Sequence, residues 1–127
     1  MIKLYGISIS NFYNKVKFAL LEKNIAFTEE FLSPSEDETV VSRSPMGKIP
    51  FVEIDGRALS ESQAIVEYLE AARPTPALLP SDPFAAAKCR ELVQVMALYL
   101  DAPARRMLSH AFFGAPISEE TLKEVPV

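Results

Sequence analysis

A cluster of prolines near the middle of the chain does most to limit how this sequence can fold. Four prolines fall within ten residues, namely Pro74, Pro76, Pro80 and Pro83. A helix cannot run through such a stretch, because proline lacks the backbone N–H and its ring clashes with the preceding turn. The stretch is typical of an interdomain linker. We therefore predict a first domain over residues 1–76, a linker over 77–82 and the beginning of an α-helical domain over 83–127.

Composition narrows the class of protein. With 49% hydrophobic and 24% charged residues, the 127-residue chain matches a soluble globular protein. Its single cysteine excludes an internal disulfide framework and a Cys-rich zinc site, and its single histidine makes a His-based metal centre hard to assemble. The net charge of -4 gives no electrostatic reason to bind nucleic acid or an anionic membrane. No secretory signal or long apolar run is visible, so we expect a cytoplasmic protein without a metal.

The first domain begins with a change of hydrophobic period. Ile2 to Ile7 is a short apolar stretch, typical of a strand. From Ser10 to Asn24 the spacing becomes helical, and the members of one face are Val16, Ala19, Leu20 and Lys23. Ser10 or Asn11 would cap this helix. From Ala26 to Leu32 the pattern alternates again, which predicts β-α-β with parallel strands and a right-handed crossover.

A hairpin and a helix are predicted to complete this domain. The polar stretch Ser33 to Met46 reads as a loop with a short helix. Asp55-Gly56 between Phe51 to Ile54 and Arg57 to Leu59 is a strong hairpin signal. Ser60 to Ala72 then has helical spacing, so the order is β-α-β followed by β-β-α.

The second part is predicted to be helical. Asp82-Pro83 is a cap followed by proline at the first helical position. One face of the long helix that follows carries Ala85, Cys89, Leu92, Met96 and Tyr99. We expect a kink near Pro103 and a second helix near Ser118. Such helices cannot enclose a core alone. We expect either that they pack on the first domain and on a second chain, or that these residues are a fragment of a longer chain, and we favour the fragment.

Several motifs occur in one order along the chain. They are Leu4-Tyr5-Gly6, Ser10-Asn11-Phe12 before Lys15-Val16, Ser44-Pro45-Met46-Gly47-Lys48-Ile49-Pro50, Glu61-Ser62-Gln63-Ala64-Ile65 and Tyr68-Leu69. In this order and spacing the chain resembles the serine-type branch of the glutathione S-transferase family. The resemblance is close over residues 1–72. It implies an α/β fold, with a thioredoxin-like domain followed by a partial all-α domain.

The resemblance also implies how glutathione is held. Free N–H groups where a strand gives way to a helix favour anions, so Ser62 would bind the γ-glutamyl carboxylate and Glu61 the ammonium. Ile49 would pair through its backbone with the cysteinyl part, next to Pro50, which is cis in similar proteins. Lys48 would meet the glycyl carboxylate. From the residues alone, Ser62 reads equally as a helix cap, Pro50 as a trans edge proline and Lys48 as a surface lysine.

Ser10 is the predicted catalytic residue. A free thiol has a pKa near 8.5, and lowering it by ~2 units needs about 2.7 kcal/mol. One or two hydrogen bonds to a thiolate, at ~1.5–3 kcal/mol each, are of this size. Ser10 would therefore donate to the glutathione sulfur, which is the nucleophile. Its alternative role is an ordinary helix cap, and Ser8 and Tyr5 rank second and third for the activating role.

Other residues exclude related chemistry or add to the site. Ser10 to Tyr13 occupy the place of the Cys-x-x-Cys motif of thioredoxin-like oxidoreductases, so disulfide exchange is excluded. Cys89 reads as a buried structural residue. The resemblance implies that Asp101 could reach the glutathione ammonium of a partner subunit in a homodimer.

Two functions follow as hypotheses. The first is a cytoplasmic glutathione transferase of the detoxification type, which joins glutathione to a small electrophile without a metal. The second is a transferase-like binding or regulatory module, such as the stress proteins that associate with RNA polymerase. Every glutathione-contacting position matched here carries a competent residue, which favours the first.

Overall fold

A four-stranded mixed sheet organises the N-terminal part of the protein in a computed structural model, which describes residues 1–124. The strands are β1 (Ile2–Gly6), β2 (Phe27–Phe31), β3 (Phe51–Ile54) and β4 (Arg57–Ser60). Their order in the sheet is β2-β1-β3-β4, with β2 parallel to β1 and the other neighbours antiparallel. This is the predicted β-α-β then β-β-α arrangement, and the thioredoxin-like α/β expectation is confirmed.

Two helices cover one face of the sheet. They are α1 (Asn11–Glu22) and α3 (Ser62–Ala72), which pack against each other, while the short α2 (Glu38–Val41) lies in the connection between β2 and β3. The apolar positions of both helices meet those of β1 and β3 in one core, formed by Leu4, Tyr13, Val16, Ala19, Leu20, Val52, Ile65 and Leu69. The core therefore fixes the starts of α1 and α3 relative to the ends of the strands.

The chain divides into two units, Met1–Leu78 and Leu79–Val127. The second unit is helical, and the last three positions of the predicted helical domain lie outside the described residues. Its elements are α4 (Pro83–Val95), a π-helical segment (Met96–Asp101), α5 (Ala102–Arg105), α6 (Leu108–Phe113) and α7 (Glu119–Glu124). The boundaries predicted at 76 and 82 stay predictions.

The predicted long helix departs from α-helical geometry earlier than its proline suggests. Asp82 caps α4 as expected and accepts a hydrogen bond from the Ala85 N–H at 2.7 Å. The helix widens into a π-helical turn from Met96, before Pro103. Cys89 is half-buried in this unit, so the prediction of a buried cysteine is wrong. Within residues 1–124, no helix is both long enough and apolar enough to cross a bilayer.

Candidate functional site

The ends of three neighbouring strands meet at one end of the sheet. Tyr5 of β1 pairs with Phe51 of β3, and Phe51 also pairs with Ser60 of β4. The end of β1, the start of β3 and the end of β4 therefore lie side by side. The segments that continue from these three ends carry the predicted site residues of this unit, which are Ser10, Lys48, Ile49, Pro50, Glu61 and Ser62.

Ser10 caps α1. Its backbone is extended, with φ -76° and ψ 120°, and its Oγ accepts a hydrogen bond from the Tyr13 N–H at 3.3 Å. A serine hydroxyl has two acceptor lone pairs and one proton. The cap uses one lone pair and leaves the proton to donate elsewhere. The two roles considered for Ser10, helix cap and donor to a thiolate, are therefore compatible in one side chain.

A close approach fixes the turn between β1 and α1. A Cβ on Gly6 would lie 2.5 Å from the Tyr13 ring, which is closer than real contacts allow. The Tyr13 hydroxyl donates to Glu29 of β2. Burial, and to a smaller extent this hydrogen bond, raise the pKa of Tyr13. The tyrosine therefore stays protonated and holds the first turn of α1 against the sheet.

The two competitors of Ser10 differ from it in their surroundings. Ser8 is exposed in the turn before α1, and its backbone carbonyl accepts from the Asn14 side chain at 2.8 Å. The Tyr5 hydroxyl already donates to Glu53 at 2.8 Å. Burial, and then the Glu53 carboxylate, raise the pKa of Tyr5. A phenol held by a carboxylate is a poor donor to a second anion, which weighs against Tyr5.

The segment before β3 carries Lys48, Ile49 and Pro50. The Ile49–Pro50 peptide bond is cis, as the resemblance implied. The Lys48 side chain is exposed, while its backbone carbonyl accepts a hydrogen bond from the Ser44 Oγ at 2.8 Å. Ser44 is only 2% exposed. Ser44 opens the motif that ends at Pro50, but its sequence context alone assigns it no role.

The segment after β4 begins α3. Glu61 has φ 69° and ψ 110° and forms no side-chain cap hydrogen bond. Ser62 is buried and is the first helical residue, so the cap position belongs to Glu61 and the reading of Ser62 as the cap is wrong. Positive φ in a non-glycine residue costs free energy and concentrates at functional sites. The first turn of α3 keeps backbone N–H groups that no cap side chain satisfies, which favours an anion there.

A lysine in the first half of α1 ties the starts of α1 and α3 together. Lys15 of α1 donates through Nζ to the Gln63 Oε1 of α3 at 2.6 Å. Burial lowers the pKa of Lys15. The bond joins the helix that Ser10 caps to the residue next to Ser62. Both residues stand in the motifs that carry the resemblance, but no pattern in the sequence pairs Lys15 with Gln63.

Asp101 belongs to the second unit. It ends the π-helical segment and pairs with Arg105 one turn later. Its predicted reach into a partner subunit stays a prediction. Among residues 1–124, no group of three His, Cys, Asp or Glu side chains is placed to hold a metal ion.

Comparisons with known proteins agree with the motif order. The model of the glutathione S-transferase N-terminal domain matches residues 4–77. A glutathione S-transferase of Pseudomonas putida strain F1 is 43% identical over 124 residues, which cover 98% of this chain and 56% of that protein. A probable maleylacetoacetate isomerase of Drosophila melanogaster is 53% identical over 53 residues, 42% of this chain and 22% of that protein.

A solved structure agrees on the fold. Glutathione transferase E6 of Drosophila melanogaster superposes with a TM-score of 0.84 at 23% identity, covering 98% of this chain and 60% of that one. The chain thus spans little more than half the length of the relatives that it matches along its whole length. With the family model matching most of the first unit and a 43% identical relative covering nearly all of this chain, the chain belongs to the glutathione S-transferase family.

Proposed function

We propose that this chain is the glutathione-binding part of a glutathione S-transferase, in which Ser10 stabilises the glutathione thiolate. One observation carries the proposal: three segments meet at the same end of the sheet. They carry Ser10, Ile49–Pro50 and Glu61–Ser62. The thiol proton passes to solvent, and the thiolate sulfur attacks a soft electrophile. In a substitution a carbon–sulfur bond forms while the carbon–halogen bond breaks, and halide leaves with the bonding electron pair; in an addition the π bond of the electrophile breaks and its carbon takes a proton from solvent. The reaction needs no protein nucleophile.

The proposed contacts match the charges of glutathione. The start of α3 and the Ser62 hydroxyl would take the γ-glutamyl carboxylate, and Glu61 the neighbouring ammonium. The exposed Lys48 would meet the glycyl carboxylate at the other end of the tripeptide. The backbone of Ile49 would pair with the central cysteinyl residue. Each end of the ligand thus meets groups of complementary charge.

The proposal also covers the location of the protein, its oligomeric state and its role. We place it in the cytoplasm as a homodimer that takes part in detoxification, with Asp101 near the glutathione of the partner. The net charge of -4 gives no electrostatic reason to propose nucleic acid or an anionic membrane as a partner.

The turnover of a serine variant tests this proposal. Ser10→Ala should return the glutathione pKa toward 8.5 and cut the thiolate fraction at neutral pH, and with it turnover, by about 25-fold. The Kd for glutathione at pH 7 should rise only about fourfold, because the neutral thiol binds equally in both chains and only the thiolate loses a hydrogen bond. A conjugation assay with an aromatic halide electrophile measures both values.

Ser8→Ala is the matched control, since Ser8 lies two residues earlier and is exposed. It should retain full turnover. Equal turnover in Ser10→Ala and the unsubstituted chain would remove Ser10 from the proposed role, and a loss confined to Ser8→Ala would transfer that role to Ser8.

A glutathione-dependent isomerase is a second candidate, favoured by the 53% identity to a probable maleylacetoacetate isomerase. An isomerase returns glutathione after each turnover, whereas a transferase consumes it. Measuring free thiol during turnover separates the two. The regulatory hypothesis gains no support from the comparisons.

A further inference from the structure

We infer that Ser44 is a positioning residue for glutathione, because its buried hydroxyl fixes the orientation of the peptide group between Lys48 and Ile49. The inference rests on the function proposed above and adds a residue that touches neither glutathione nor its sulfur. Ser44 acts through the backbone that would pair with the cysteinyl part of the ligand.

Ser44 is held on every side by hydrogen bonds. Its N–H donates to the Val40 carbonyl of α2 at 2.8 Å, and its carbonyl accepts from the Gly47 N–H at 2.8 Å. Its Oγ donates to the Lys48 carbonyl at 2.8 Å, and the residue is 2% exposed. The hydroxyl is therefore a fixed donor whose position is set by the end of α2.

Peptide planarity carries the effect of this bond to the next residue. The Lys48 carbonyl and the Ile49 N–H belong to one planar trans peptide group and point in opposite directions. When Ser44 holds the Lys48 carbonyl on one side of the segment, the Ile49 N–H must therefore point away from Ser44, in the opposite direction within the same plane. Within residues 1–124, the Ile49 N–H has no hydrogen-bond acceptor. A buried serine thus presents the donor that the proposed function assigns to glutathione.

The residue before Lys48 limits the other ways in which this segment could move. Gly47 has φ +62°, and a Cβ there would lie 2.3 Å from the Ser35 carbonyl oxygen. The Ser35 N–H also donates to the Gly47 carbonyl at 3.0 Å. The contacts with Ser35 therefore fix Gly47 and its carbonyl. The orientation of the next peptide group, between Lys48 and Ile49, is set by the hydrogen bond from Ser44.

Ser42 provides a matched control two residues away. It is exposed at the end of α2, and its Oγ lies 3.5 Å from the Thr39 carbonyl, a long and weak hydrogen bond. Removing either hydroxyl makes the same chemical change. Only Ser44→Ala releases the Lys48–Ile49 peptide.

The test measures glutathione binding by calorimetry and unfolding by circular dichroism on the unsubstituted chain, Ser44→Ala and Ser42→Ala. We expect Ser44→Ala to raise the Kd for glutathione about tenfold, the loss expected when a ligand-facing backbone donor is no longer held in place. Turnover at saturating glutathione should stay unchanged, since the sulfur site is intact. Ser42→Ala should bind like the unsubstituted chain.

The outcomes separate this inference from the function on which it rests. A folded Ser44→Ala chain with an unchanged Kd overturns the role of Ser44 and leaves the proposed function standing. No binding by the folded, unsubstituted chain overturns both. If Ser44→Ala does not fold, Ser44→Cys keeps the shape with a weaker donor, and a smaller rise in Kd is expected; an unchanged Kd there overturns the inference.

Discussion

At the scale of single residues, local hydrogen bonding decides which of several candidates can activate a thiol. Ser10 accepts from the backbone and keeps its proton, whereas the Tyr5 proton is engaged by Glu53. Tyr5 also stacks on Phe51 with ring centroids 4.6 Å apart, and the Arg43 guanidinium lies 4.9 Å from the Tyr5 ring centroid. These contacts make Tyr5 part of the packing between β1, β3 and the segment after α2.

The variant Tyr5→Phe separates the two residues. It keeps the ring stack and removes the hydrogen bond to Glu53, so the free energy of unfolding should fall by about 1 kcal/mol. Turnover at neutral pH should remain within about twofold of the unsubstituted value, well below a tenfold (1.4 kcal/mol) effect on the barrier. Denaturant unfolding and the conjugation assay measure these quantities. A turnover loss as large as that of Ser10→Ala, with the fold intact, would return Tyr5 to the activating role.

Residue identity predicted part of the site and missed the rest for a physical reason. The resemblance to the transferase motifs implied roles for Ser10, Ile49, Pro50, Glu61 and Ser62, and the structure brings the segments that carry them together at one end of the sheet. The hydroxyl that orients the Lys48 carbonyl comes from a polar loop without periodicity. Burial of a loop serine depends on tertiary packing, which no local pattern reports.

At the scale of elements, a buried lysine joins the ends of two helices. Helical spacing placed Lys23 on the apolar face of the first helix, and the structure confirms its burial at 4% exposure. Lys23 Nζ donates to the carbonyls of Arg73 at 2.6 Å and Pro76 at 2.9 Å, and it pairs with Glu70 of α3. Glu70 in turn accepts from the Leu78 N–H at 3.1 Å. The cluster secures the chain after α3 against the end of α1.

Lys23→Met tests this cluster. The substitution removes the cation beside the half-buried Glu70 carboxylate and the donor of two backbone carbonyls, so the free energy of unfolding should fall by about 3 kcal/mol. Lys88→Met is the control, since the Lys88–Glu91 pair is exposed and should contribute less than about 0.5 kcal/mol. Urea unfolding of both variants measures the difference. Equal stability of the two variants would show that the Lys23 cluster contributes little.

Element types were predicted well, and exposure along them less so. The strand predicted within Ala26 to Leu32 forms as β2, but its burial does not alternate. Phe27 is half-buried and Phe31 is 84% exposed, and β2 is an edge strand of the sheet. The π-helical turn from Met96 was not predicted. The π-helical segment has six residues, Met96–Asp101, which is too short for a change of hydrophobic period to be read from the sequence.

At the scale of the whole molecule, six of the seven predicted site residues lie in the unit Met1–Leu78, and Asp101 alone lies in the other. The groups proposed to hold glutathione and its sulfur therefore come from one unit and one core. In the second unit the predicted apolar face remains open within the described residues, as at Leu92, which is 62% exposed, and Tyr99, which is 65% exposed. Glutathione binding should therefore be a property of the first unit.

A glutathione titration of the folded chain at neutral pH tests the central claim most directly, with the ultraviolet absorbance of the bound thiolate as the signal. Folding is checked beforehand by circular dichroism. We predict a saturable thiolate signal in the unsubstituted chain that disappears in Ser10→Ala, while Ser10→Ala still binds glutathione by calorimetry. A folded chain that gives no saturable signal, or an equal signal from Ser10→Ala, would contradict the claim that Ser10 stabilises the glutathione thiolate.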